Sequence, residues 1–201
     1  MKKEITIPFG MPERLEYIPV DNRNGWKLDE VTEASFAAWY DREYLHVHFR
    51  TSKAPLFYRY SGDQSPVSRD SCVEVFVKPH PDGEYWNFEF NVGGSVNASH
   101  RFVRPEPTRL TSSEIATIRR RAVPEVALGT EISGNGNSWD FEADIPWELM
   151  GVVPAKDMRL QANFYACASE GNPPYCLSWA PIDTPEPDFH RPEFFGDIVL
   201  G

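Results

Sequence analysis

The 201 residues carry 20 basic and 30 acidic side chains, a formal charge of −10, with 41% hydrophobic and 13% aromatic residues. This content excludes a disordered chain, and at this length roughly 70% of the unfolded surface is buried on folding, so a core forms without disulfide staples. The acid excess lies after residue 123, where 13 acidic residues accompany 3 basic ones, which argues against a phosphate-backbone partner.

Residues 1–201 read as a single domain, without internal repeat, low-complexity tract or linker. No apolar run approaches the ~20 residues of a membrane span, so no membrane partner is expected. Nothing after Met1-Lys2-Lys3 resembles an export leader. The chain as it stands therefore reads as cytoplasmic, or as extracellular or periplasmic if a leader has been removed.

The dominant pattern along the chain is alternation with period two, the signature of half-buried strands. A first strand is predicted at about 34–40, and Asp41-Arg42-Glu43 turns it into a second at 44–50, where Leu45, Val47 and Phe49 share one face. In 70–78, Val73, Val75 and Val77 oppose Asp70, Cys72, Glu74 and Phe76. After the turn cluster Pro79 to Gly83, Trp86, Phe88, Phe90 and Val92 oppose Tyr85, Asn87, Glu89 and Asn91, so the two runs form a hairpin. Further strands are expected near 96–104, 116–123, 139–145, 160–168, 175–180 and 196–200. Pro146 to Gly151 suits one helical turn. With 18 prolines and 13 glycines punctuating about ten short strands, the expected fold is all-β: an antiparallel β-sandwich of immunoglobulin-like or jelly-roll-like two-sheet architecture with minimal helix.

If the valine and aromatic faces of the hairpin enter the core, Glu74, Asn87, Glu89 and Asn91 share the opposite face. Arg119 and Arg121 on the 116–123 strand, and Asn163 beside Phe164, add guanidinium and amide groups. Acceptors, amides and bidentate donors are what a pyranose needs to satisfy its vicinal hydroxyls. Rings near loops, namely Trp26, Tyr58, Tyr60, Trp179 and Phe189, could stack on sugar C–H faces, whereas Trp39, Trp139 and Trp147 read as structural. Two other functions fit the same residues. Glu74 and Glu89 could be the paired carboxylates of a glycoside hydrolase, or the face could dock a protein.

Metal chemistry is weakly marked. Cys72, Cys167 and Cys176 lack CxxC spacing and read as buried thiols, and His46 and His48 share a strand face without a third ligand. The oxygen-rich loops 61–65 and 82–84 lack EF-hand spacing. No metal site and no required cofactor are expected.

Three stretches together carry a resemblance: Arg69-Asp70-Ser71-Cys72-Val73-Glu74-Val75-Phe76, Tyr85-Trp86-Asn87-Phe88-Glu89-Phe90-Asn91, and Phe189 to Gly196. Trp139-Asp140-Phe141 through Trp147, and Asn163-Phe164-Tyr165, follow in matching order. Over about residues 15–200 the chain resembles carbohydrate-binding module family 9-like domains. The resemblance implies a β-sandwich with a ligand site on one sheet, non-catalytic binding of a small glycan or oligosaccharide end, and an association with polysaccharide degradation. It also implies that a structural calcium is compatible with the fold. Members clamp a terminal sugar between two rings, one just before the Asp of the first stretch and one near the final loop. Here Val67-Ser68-Arg69 precedes Asp70, so the first ring is absent and Tyr60 or Tyr58 is the substitute. The resulting expectation is a monomer that binds carbohydrate through Glu74, Asn87, Glu89, Asn91, Arg119, Arg121 and Asn163, with Trp179 or Tyr60 stacking.

Overall fold

The side chains that alternate along the central hairpin decide how the sandwich closes. Val73, Val75 and Val77 of one strand and Phe88 and Phe90 of the next are fully buried in the main core, where they meet Phe36, Phe49 and Phe141 of the opposing sheet. The computed structural model describes residues 2–201. Its larger sheet comprises β1 (Glu4–Ile7), β5 (Cys72–Lys78), β6 (Tyr85–Asn91), β7 (Val96–Arg101), β8 (Thr108–Arg109), β11 (Arg159–Ala168), β12 (Tyr175–Ser178) and β13 (Gly196–Leu200). These run in the order β1-β13-β11-β5-β6-β7-β8, with β12 also on β11. The smaller sheet, in the order β2-β3-β4-β10-β9, holds β2 (Ile18–Pro19), β3 (Glu33–Tyr40), β4 (Tyr44–Tyr58), β9 (Arg119–Val123) and β10 (Thr130–Pro146). Apart from the parallel pair β1 and β13, the ladders are antiparallel. The expected β-sandwich is the fold observed.

The strands differ from the expectation mainly in length. β4 continues to Tyr58 rather than ending at 50, and β10 starts at Thr130 rather than 139. The register of β10 on β4 shifts between Ile132 and Asn137 and again before Trp139. Those irregularities break the alternation over Gly134-Asn135-Gly136-Asn137 that a period-two reading relies on. The short edge strands β1, β2 and β8 lack a readable period. The turn after Pro146 is a 3₁₀ turn, Trp147–Met150, closed by Gly151 in the left-handed region (φ 65°). A four-residue helix, α1 (Ser112–Ile115), had no sequence expectation, although Thr111 and Glu114 form a capping box at its start.

The outer face of the larger sheet is itself partly covered. Phe76, Tyr85 and Tyr165 project outward and build a second, smaller apolar cluster with Trp26, Ile182 and Phe195. The segment 181–195 thus lies across this sheet, and the polar residues beside the cluster form the floor of a cleft.

Candidate functional site

β5 and β6 place Glu74 directly opposite Glu89, and antiparallel pairing brings such side chains to about 5 Å at Cβ. Both carboxyls are buried, at 2% and 6% exposure, yet both line a cleft of about 270 Å³ walled by Ser68, Arg104, Asp188, Phe189 and His190. A second hollow continues past Glu89 along β7 and shares Ser68, Glu89, Arg104 and His190 with the first. The two acids therefore sit at the bottom of one groove.

Their surroundings differ. Asn87 Nδ2 donates to Glu89 Oε1 at 2.9 Å and Asn97 Nδ2 to Oε2 at 3.0 Å. Asn87 is in turn held through its Oδ1 by Ser99 Oγ at 2.7 Å and Arg101 Nη2 at 3.0 Å. Glu74 Oε1 meets only thiols, Cys167 Sγ at 3.3 Å and Cys72 Sγ at 3.9 Å. Burial, and then the charge of Glu89, hold Glu74 well above the usual carboxylate range. Burial also raises Glu89, against the pull of Asn97, Arg101 and Asn87. The pair thus keeps a proton to higher pH than ordinary carboxylates, and Glu74, without amide or guanidinium donors, is the acid that holds it. On the far wall, burial and the charges of Arg101 and Arg104 push His190 down to about 3, so its imidazole is neutral. Its Nδ1 lies 3.1 Å from Tyr85 Oη.

One carbocyclic ring lines the groove, Phe189. It stacks on Tyr165 with ring centroids 4.1 Å apart and 11° between planes, and Trp26 lies 6.0 Å away. Trp26 is itself pinned, its Nε1 donating to Thr184 O at 2.9 Å.

Of the residues expected to share one site, the structure brings only some together. Glu74 and Glu89 form the floor, with Asn87 fully buried behind them. Asn91 and Asn163 lie on the same sheet but spend their amides on backbone and Asp70: Asn91 on Tyr60 O, Asp70, Gly93 N and Ser95 N, and Asn163 on Ala180 and Phe164 N. Arg119 and Arg121 belong to β9, in the other sheet. Arg121 pairs with Glu142, and Arg119 covers the ring of Tyr44. Alternation along a strand gives a face but not which sheet the strand joins, so the expected arginine contribution is corrected here. Trp179, expected to stack, is 1% exposed in the core against Phe36 and Phe164. Tyr60 sits outside the groove beside Arg69 and Glu170, and the ring of Tyr58 lies flat on Gly93. Trp139 and Trp147 are core residues, but Trp39 stacks on His46 on the outer face of the smaller sheet.

The model of carbohydrate-binding family 9 matches residues 8–200. The chain belongs to carbohydrate-binding family 9. Family 9 domains are non-catalytic binding modules, so the chain is a carbohydrate-binding protein and the hydrolase alternative for Glu74 and Glu89 falls away. A crystal structure of a candidate carbohydrate-binding protein from Bacteroides uniformis ATCC 8492 superposes with a TM-score of 0.89 at 25% identity, covering 100% of both chains. A family 9 module from Caldicellulosiruptor kristjanssonii in complex with glucose superposes with a TM-score of 0.64 at 15% identity, over 99% of this chain and 96% of that one. The same organism's module with cellotriose gives 0.65 and 15%, over 98% and 93%. Likeness at 15% identity establishes the fold alone. Among curated proteins, none matches significantly.

For this family 9 domain, sequence reasoning missed the β7 contribution. Asn97, Ser99 and Arg101 alternate on the face of Glu89, but the opposite face reads Val96, Ala98 and His100, a mixed row that does not mark a core face as the unbroken valines of β5 do. Arg104 and His190 come from loops, where no periodicity exists to read. Among the described residues, no helix is long and apolar enough to cross a membrane.

Proposed function

We propose that this domain takes a small glycan, a monosaccharide or the end of an oligosaccharide, in the groove over β5, β6 and β7. The observation that carries this reading is the pairing of a hydrogen-bonding floor with one flat apolar wall: Glu89 held by two amides, and Phe189 held against Tyr165. Glu89 accepts hydroxyl hydrogens, Arg104 donates from the wall, and Phe189 covers a C–H face. The first hollow, about 270 Å³, falls just below the ~300–1,000 Å³ usual for ligand pockets, and its continuation along β7 adds about 420 Å³, so the groove as a whole has room for a small glycan. The domain would act as a monomer beside polysaccharide-degrading activities, without nucleic-acid or membrane partners.

Titration calorimetry with glucose, cellotriose and xylo-oligosaccharides tests the proposal. Phe189→Ala should weaken binding by ~0.5–1.5 kcal/mol, and Glu89→Gln, which loses a charged acceptor, by ~1.5–3 kcal/mol. Absence of heat from every sugar, or full affinity in both variants, would overturn it.

A further inference from the structure

All three cysteines of the chain fall on one row of the larger sheet. Cys72 of β5 is directly opposite Cys167 of β11, and Cys167 is directly opposite Cys176 of β12. Glu74 stands two residues along β5 from Cys72, hence on the same face. The row ends in the groove, since Glu74, Cys167 and Cys176 line it. We propose that Cys72, Cys167 and Glu74 form a three-ligand site for a thiophilic divalent cation such as zinc, with its fourth position open to the groove.

Geometry and chemistry both carry the assignment. One ligand atom from each of the three residues lies within 4.8 Å of the other two. Zinc–sulfur bonds of about 2.3 Å and zinc–oxygen bonds of about 2.0–2.2 Å in a tetrahedron set ligand atoms roughly 3.5–3.8 Å apart. Glu74 Oε1 already lies 3.3 Å from Cys167 Sγ and 3.9 Å from Cys72 Sγ, so closing the set asks at most about 1 Å of side-chain adjustment. Two sulfurs and one carboxylate oxygen make a donor set suited to zinc or cobalt and poorly suited to calcium or magnesium. Glu74 supplies an independent observation. It is 2% exposed and faces the groove, but its neighbours are two thiols, which are weak donors. Glu89 beside it has two amides and a guanidinium in support. A cation gives Glu74 the electrophile that the protein itself does not. The two cysteine ligands sit 95 residues apart in sequence and on neighbouring strands, so no CxxC-type spacing announces them.

Cobalt titration of the reduced, metal-stripped protein under anaerobic conditions tests the site without any sugar present. The expected result is a one-to-one complex with a thiolate-to-cobalt charge-transfer band whose intensity corresponds to two thiolates, displaced by zinc. Cys72→Ser and Cys167→Ser should each lose at least half the band, and Glu74→Gln should weaken binding at least tenfold. Zinc should raise the melting temperature of the parent but not of the serine variants. Absence of the band in the parent overturns the assignment, whatever the variants do. So does an unchanged band in either serine variant that melts cooperatively. Because the readout is independent of glycan, sugar binding with no cobalt band would leave the proposed function standing and remove only this site.

Discussion

Glu74 and Glu89 oppose each other, but only Glu89 has amide donors and the charge of Arg101 acting on it, and this asymmetry dictates how both groove and fold respond to pH. An acid whose pKa is raised by folding binds its proton more tightly in the folded state. Stability is then greatest below about pH 4.3, the ordinary glutamate value, and declines as pH rises through the raised value. Glu74→Gln cannot ionise, so in the presence of a chelator its melting temperature should gain on that of the parent between pH 4 and pH 7. Parallel curves would refute the assignment of the proton to Glu74. Sugar affinity should fall on acidification at a pH above that of ordinary carboxylates, because burial raises Glu89 as well. His46 titrates with the opposite charge. Burial works against its cation, but contacts with Asp144 (2.7 Å) and Asp41 (3.2 Å) raise it overall. Its stabilisation is complete below about pH 6.5 and lost as pH rises through the raised value. Equilibrium unfolding should show His46→Gln costing more at pH 5.5 than at pH 9.

Between residues and sheets stand the elements that fix the groove, and the stretch most readable in the sequence is largely structural. Asp70 is fully buried and accepts from Arg59 N, Tyr60 N and Asn91 Nδ2, each at 2.9 Å. Ser71 Oγ takes Phe57 N at 3.0 Å and donates to Pro55 O at 3.1 Å. Together they latch the end of β4 to the start of β5, across the two sheets. Asp70→Ala would strand several buried donors and should cost about 3 kcal/mol in denaturant unfolding. At the other end, a Cβ on Gly196 would lie 2.5 Å from Trp179 and 2.9 Å from Lys3 O. Gly196→Ala should therefore cost ~1–3 kcal/mol through overpacking, checked by the same measurement. The hairpin of β5 and β6 was legible because valines and aromatics alternate with a second face that is mostly polar, Phe76 and Tyr85 being its apolar members. β10 was half legible, since its bulged first half has no period. Of the walls of the groove only Phe189 was legible, as a ring near the final loop, because Arg104, Asp188 and His190 are likewise placed by loops but carry no such mark.

At the scale of the molecule, the chain visits the smaller sheet with β2 to β4, the larger with β5 to β8, returns with β9 and β10, and finishes in the larger. Strand count and turn punctuation announce a sandwich, but this shuttling is set by core packing across sheets, which is why Arg119 and Arg121 could be assigned a face and not a sheet. The net charge of −10 has little hold on a neutral sugar. Affinity for such a ligand should stay within about twofold between low and high salt, while a charged ligand would give a steep salt dependence by calorimetry and count against the neutral-glycan reading. In the proposed groove Phe189 is the one carbocyclic ring, with Tyr165 against one of its faces, so a sugar bound there would lie against a single ring and not between two. Forgoing one such contact, worth ~0.5–1.5 kcal/mol, shortens residence time by up to about tenfold. Lasting attachment to an insoluble polymer then calls for several such domains held together, so that each release is followed by rebinding at high effective concentration.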